Sequence, residues 1–198
     1  MTDVHQTAAR PWWHRATHHI TTKLGAFGAT AAVLIGSCAP ASQCAPAAPA
    51  PPTTTVPASG IRLAAKPVQP PCWYTDTWGE ARSGGRVHLG TDIAADEGNQ
   101  VYAVAAGTIT KVYREGIDAL AGNGILLTQA DKTFWFYAHM LALAPGIAVG
   151  TTVRAGQLVG YVGQTGNAGG PHLHLELHPQ GGAAVNPYPV IQASGGAC

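Results

Sequence analysis

Charge is scarce in this 198-residue chain: Asp, Glu, Lys and Arg make up 11% of it, against roughly a quarter in ordinary soluble domains, and the formal net charge is +1. No Lys/Arg cluster is present, which removes nucleic acid from the expected partners. A convincing long amphipathic period is missing as well, and so is an apolar stretch of membrane-spanning length. The apolar run Leu24–Ser37 (LGAFGATAAVLIGS) has 14 residues, short of the roughly 20 that cross a bilayer as a helix. In their place the chain carries 25 glycines and 15 prolines, a composition that favours turns and extended segments over helices.

Arg10, Arg15 and Lys23 precede the apolar run and small residues close it. A basic lead, a short apolar core and a small-residue end make residues 1–38 a secretory targeting segment, with an uncleaved anchor as the alternative. The end of the run, IGSC, resembles the lipobox of bacterial lipoproteins. That resemblance implies a lipid on Cys38 and a membrane-tethered protein; the other reading is an ordinary signal cut nearby, with Cys38 incidental. Residues 39–71 follow as a linker. Nine prolines lie between Pro40 and Pro71, and segments such as APAAPAPPTTTVPASG have no hydrophobic period, so this stretch is expected to be a disordered, partly polyproline spacer.

The globular unit is expected at 72–198. Its apolar segments are short, β-rich and separated by Gly- or Asn-containing turns: QVYAVAA, GTITKVYR, GILLTQ, KTFWFYAHM, QLVGYVG and HLHLELH. These patterns indicate an all-β domain of antiparallel strands. Cys72 and Cys198 bracket it, and in an exported chain cysteines at the two ends of a domain read as a disulfide clasp.

Within HLHLELH, side chains two apart share a face of a strand, so His172 and His174 look one way while Leu173, Leu175 and Leu177 look the other. Two adjacent imidazoles can be paired metal ligands, a ligand beside a catalytic base, or polar residues on a wet face. Two further stretches bear on the choice. His88 stands four residues before Asp92 in VHLGTDIAA, and His139 closes the aromatic strand FWFYAHM. A catalytic zinc takes three protein ligands and keeps a fourth position for water. His88, Asp92 and one histidine of HLH meet that need, and a single carboxylate leaves Zn²⁺ enough positive charge to act as a Lewis acid. His139 and the other histidine would then stand by for proton transfer.

Taken together, GGRVHLGTDIAA, VYAVAAGTI, YAHM and VRAGQLVGYVGQTGNAGGPHLHLEL resemble the lysostaphin/LytM-type zinc metallopeptidases, which cut peptide bonds in bacterial peptidoglycan. The resemblance runs from about Trp78 to Pro187. It implies a duplicated-hybrid-motif fold, with antiparallel sheets packed as a small open barrel or sandwich. It also implies zinc held by His88, Asp92 and His174, with His139 and His172 assisting catalysis beside it. Its substrate would be a cross-linked wall peptide, met at the cell envelope by a monomer, with any regulatory partner unidentified. His178 matches no site of the family and reads as surface. Glu176 is either a partner that orients an imidazole or an exposed strand-face residue. Latent members of the family block the zinc with an upstream asparagine, and between Ala39 and Val87 this chain has neither Asn nor His. The loop YREGIDALAGN is expected to wall the peptide groove.

Two rival readings belong to other classes. AAGTITKV and VRAGQLVGYV are similar to the hairpins of biotinyl and lipoyl carrier domains, but those need a lysine at a hairpin tip and Lys111 falls within a strand. A non-hydrolytic wall-binding or amidase-activating module of the same fold is the second.

Overall fold

A computed structural model describes residues 60–198. The targeting segment, the lipobox at Cys38 and most of the linker lie outside the described residues. The strands are β1 (Trp73–Tyr74), β2 (Ala81–Arg82), β3 (Arg86–Val87), β4 (Thr91–Ala94), β5 (Gln100–Tyr102), β6 (Gly107–Tyr113), β7 (Asn123–Thr128), β8 (Phe134–Leu143), β9 (Thr152–Val153), β10 (Leu158–Val162) and β11 (His172–His178). One short helix, α1 (Tyr188–Ala193), tucks Val190 and Ile191 into the core. Among the described residues no helix is long and apolar enough to cross a membrane. The domain is all-β and its strand pairs are antiparallel, as the alternating patterns required.

Nine strands form one sheet in the order β1-β4-β11-β8-β7-β6-β9, with β10 joining β8 to β5; β2 and β3 make a separate hairpin. The long strand β8 is the branch point. Its first half, Phe134–Ala138, pairs with β11, while Met140–Leu143 pair with β10. Leu173, Leu175 and Leu177 of β11 are fully buried with Trp135, Tyr137, Ile125, Leu127 and Ile109, so the leucine face of HLHLELH points into the core. The histidine face is not wet either. His172 and His174 are each only 8% exposed, with His139 packed against the first and His88 and Phe136 against the second.

The packed unit starts earlier than Cys72. Ile61 and Leu63 pack against the core, and Val68, 1% exposed, bridges to Val101. The Pro67 carbonyl accepts the Tyr102 N–H at 2.8 Å. Proline lacks a donor but keeps its acceptor, so a proline-rich segment can lie along a sheet edge. Residues 61–71, which composition assigns to the linker, therefore belong structurally to the domain. The clasp is present: Cys72 and Cys198 are disulfide-bonded, with Cα atoms 6.0 Å apart. It joins the first strand to the C-terminus and closes the domain on itself.

Candidate metal centre

The register between β4 and β11 sets Asp92 directly opposite His174. His88, four residues before Asp92, reaches the same point because the chain between them passes close to β11 at Gly90. A Cβ on Gly90 would stand 2.6 Å from the Leu175 carbonyl oxygen and 2.8 Å from His174 Cε1, so only glycine permits this approach. The result is a compact triangle. Asp92 Oδ1 lies 3.0 Å from both His88 Nε2 and His174 Nδ1, and these two nitrogens are 2.9 Å apart. His88, Asp92 and His174 are the one group of potential metal donors found among the described residues.

The hydrogen bonds behind the triangle define which ring nitrogens carry protons. His88 Nδ1 is 2.8 Å from the Thr77 carbonyl oxygen and His174 Nε2 is 2.9 Å from Glu176 Oε1. Both partners are acceptors, so both outward nitrogens donate; a cation that displaces the proton His174 otherwise holds toward Asp92 then meets the inward nitrogens as lone pairs. Two imidazole lone pairs and a carboxylate thus converge on one point. A proton can serve only part of such a set; a divalent cation serves all three donors at once. Bonds of 2.0–2.2 Å in a tetrahedral site put ligand atoms about 3.3 Å apart, and the triangle needs to open by only a few tenths of an ångström. The residues fit zinc.

His139 and His172 stand against this triangle. Their rings are 4.8 Å apart, and His172 Nε2 is 3.6 Å from Asp92 Oδ1. Each is tied by Nδ1 to a backbone carbonyl: His139 to Thr165 at 2.9 Å and His172 to Gly170 at 2.8 Å. Both therefore keep Nε2 free as an acceptor. His139 has φ +64°, a left-handed backbone rarely adopted by a non-glycine residue, inside strand β8. The kink is held by its N–H, which donates to the Ala121 carbonyl at 2.9 Å. Ala121 belongs to the loop YREGIDALAGN, whose Ile117 and Leu120 are exposed, so that loop does adjoin the centre.

The electrostatics follow from burial and pairing. Burial opposes charge on Asp92, but hydrogen bonds to His174 and His88 outweigh it and hold the carboxyl well below the usual carboxylate range. Burial likewise opposes charge on His174; its bonds to Asp92 and Glu176 outweigh that and raise it to about 9. His139 is pushed down to about 4, chiefly by burial and then by the neighbouring His172, and burial also lowers His172. At neutral pH these two rings are uncharged bases.

Three neighbours add to what the sequence indicated. Glu176 is the hydrogen-bonded partner of His174. His178, read from the sequence as surface, is mostly covered, with 16% of its side chain exposed, and bonds to the other oxygen of Glu176 at 2.8 Å. The third is Arg82, whose guanidinium donates to Asp92 Oδ2 at 2.8 Å and to Glu80 at 3.1 Å. An arginine ten residues upstream of a candidate ligand has no spacing that marks it. Lys111, the one residue a carrier domain would need, lies within β6 above the Tyr113 ring.

Residues 86–187 match Peptidase family M23. This chain belongs to that family. An L-Ala–D-Glu endopeptidase from Bacillus subtilis (strain 168) is 33% identical over 139 residues, covering 64% of the M23 chain described here and 42% of that protein. The catalytic domain of the antimicrobial peptidase lysostaphin from Staphylococcus simulans superposes with a TM-score of 0.52 at 29% identity, over 59% of this chain and 90% of that one. The murein hydrolase activator EnvC from Escherichia coli (strain K12) is 35% identical over 116 residues, 57% of this chain and 25% of that protein. This M23 chain thus spans less than half the length of these two curated relatives.

Proposed function

We propose that this chain is an exported zinc endopeptidase that hydrolyses peptide cross-links of bacterial peptidoglycan. The observation that carries the reading is the convergence of His88, Asp92 and His174 on one point, with the bare Nε2 atoms of His139 and His172 beside it. Zinc bound by the three would polarise the scissile carbonyl and lower the pKa of an attacking water.

The remaining work falls to the protein. His139 and His172 are neutral and fixed in the tautomer that accepts at Nε2, so either can take the proton from the water. The ring that has taken it becomes an N–H donor at the same atom. From there it can stabilise the tetrahedral oxyanion or return the proton to the departing amine. Because Thr165 and Gly170 hold both rings by backbone carbonyls, little reorientation is needed between these tasks. The loop carrying Ile117 and Leu120 would form one wall of the peptide groove.

On the same reading the protein acts at the cell envelope as a monomer, either tethered through a lipid on Cys38 or secreted. A second reading, a non-hydrolytic wall-binding or amidase-activating module, draws on the likeness to EnvC. The presence of all five histidine and aspartate positions favours hydrolysis. Digestion of purified peptidoglycan separates the two: mass spectrometry of released muropeptides should show a cleaved peptide bond. Intact wall in the presence of zinc-loaded protein would establish the module instead.

A further inference from the structure

From His174 a line of side chains runs on behind the triangle to two residues that the reaction itself does not use, Glu176 and His178. His174, Glu176 and His178 occupy alternate positions of β11 and therefore share its face. The Glu176 carboxylate bridges its two neighbours: Oε1 to His174 Nε2 at 2.9 Å and Oε2 to His178 Nε2 at 2.8 Å. His178 is fixed in turn from two sides. Its ring stacks on Phe134, with centroids 4.2 Å apart and planes 13° from parallel, and Phe134 is its cross-strand partner in the β8–β11 register. Its Nδ1 lies 3.0 Å from the Gly182 carbonyl, which the turn Pro179–Gly181 brings back toward the strand.

A glutamate has three rotatable bonds and, on a strand face, no reason of its own to point along the strand. An imidazole on each side removes that freedom. We propose that His178 is a positioning residue for the metal centre: braced by Phe134 and the Gly182 carbonyl, it holds Glu176 in the rotamer that receives the Nε2–H of His174, and so fixes the direction of the His174 Nδ1 lone pair. The proposal rests on His174 being a metal ligand. Carboxylates behind ligating histidines set ring orientation and ligand strength, and His178 extends that support one residue further.

The test uses the full chain, stripped of metal and titrated with Zn²⁺ against a chromophoric chelator, and the visible spectrum of the Co²⁺-loaded protein. His178→Phe keeps the stack and loses the donor; His178→Gln keeps a donor toward Glu176; His178→Leu removes both stack and bond. His178→Phe should weaken zinc binding on the order of 10-fold, the low end for outer partners of ligands, and shift the cobalt bands. His178→Gln should restore both. In a Glu176→Ala background His178→Phe should have no further effect, since the path through Glu176 is already gone. Unchanged zinc affinity in both His178→Phe and His178→Leu would overturn the proposal, and so would an equal loss in the Glu176→Ala background, which marks a merely structural role. A wild-type chain that binds no zinc, or His174→Ala binding it as tightly, would instead fault the metal-centre reading.

Discussion

Asp92 Oδ1 and His174 Nδ1 lie 3.0 Å apart across two paired antiparallel strands, at residues directly opposite each other in the register. This single pairing brings together donors 82 positions apart in sequence, and everything else in the centre is arranged around it. His88 joins through the close passage at Gly90. The other Asp92 oxygen is held by Arg82, so the carboxylate presents one oxygen to the imidazoles and the other to a cation.

Gly90→Ala should damage the centre without replacing any of its three donors. The new methyl would press on the Leu175 carbonyl and the His174 ring at 2.6 and 2.8 Å, and a strand backbone cannot yield by that much. Overpacking of this kind costs roughly 1–3 kcal/mol. Lower unfolding midpoints together with weaker zinc binding are expected; normal values for both would show that the turn can shift freely.

Arg82→Ala should weaken zinc binding about 10-fold, the low end for outer partners of ligands, while barely changing stability. Both side chains of the Arg82–Asp92 pair are about one-third exposed, so the pair adds little to folding. Its effect is on the orientation of Asp92. Chelator competition on wild type and variant decides this, and equal affinities would remove Arg82 from the centre.

Reduction of Cys72–Cys198 should destabilise the domain. Closing a loop of this length is worth about 4–5 kcal/mol in the chain-entropy treatment. Paired denaturation curves with and without reductant, backed by non-reducing peptide mapping, measure it. Coincident curves would mean that the packing of residues 61–71 already holds the ends in place.

Acid should weaken the metal-free protein before its carboxylates titrate. An unfolded histidine takes up its proton near pH 6.5, whereas His139 in the fold waits until about 4. Between those values the unfolded chain binds more protons, so the contribution of His139 to stability is full above about 6.5 and lost as pH falls toward 4. His172, also lowered, acts in the same direction. Urea denaturation at pH 7 and pH 5 should show the loss, and His139→Gln should reduce it. His174, raised to about 9, acts the other way over this range, so the difference between wild type and His139→Gln is the deciding quantity, and no difference would mean that the His139 ring protonates in place.

The cluster of His88, Asp92 and His174 and the two rings beside it were legible because they are chemically distinctive side chains at strand spacings: H-x-x-x-D, H-x-H and a histidine ending an aromatic strand. Their supports were not. Thr77, Thr165 and Gly170 contribute backbone carbonyls, which every residue has, so no residue type announces them. The left-handed turn at His139 was hidden because a histidine there looks like any strand residue. His178 read as surface because its cover comes from Phe134 on another strand, and that pairing is visible only once the register is known. The N-terminal boundary escaped for a different reason. Ile61, Leu63 and Val68 stand among prolines with no hydrophobic period, and only their packing against the core marks them as part of the domain.

The sharpest prediction separates His172 from His174, neighbours on one face of β11. His174→Ala removes one of three converging donors and leaves His88 and Asp92, two contacts that cannot fill a tetrahedral site. Metal content and wall hydrolysis should fall together. His172→Ala leaves the triangle whole, because the closest approach of His172 Nε2 to Asp92 is 3.6 Å and its other nitrogen is engaged with Gly170. Near-stoichiometric zinc should therefore remain while turnover drops on the order of 10²–10⁴-fold, the size expected for an acid–base group. Elemental analysis and hydrolysis of purified wall on the same folded preparations give both quantities. Loss of zinc from His172→Ala as complete as from His174→Ala would reverse the division of labour within HLH. Normal cleavage by both would end the metallopeptidase reading.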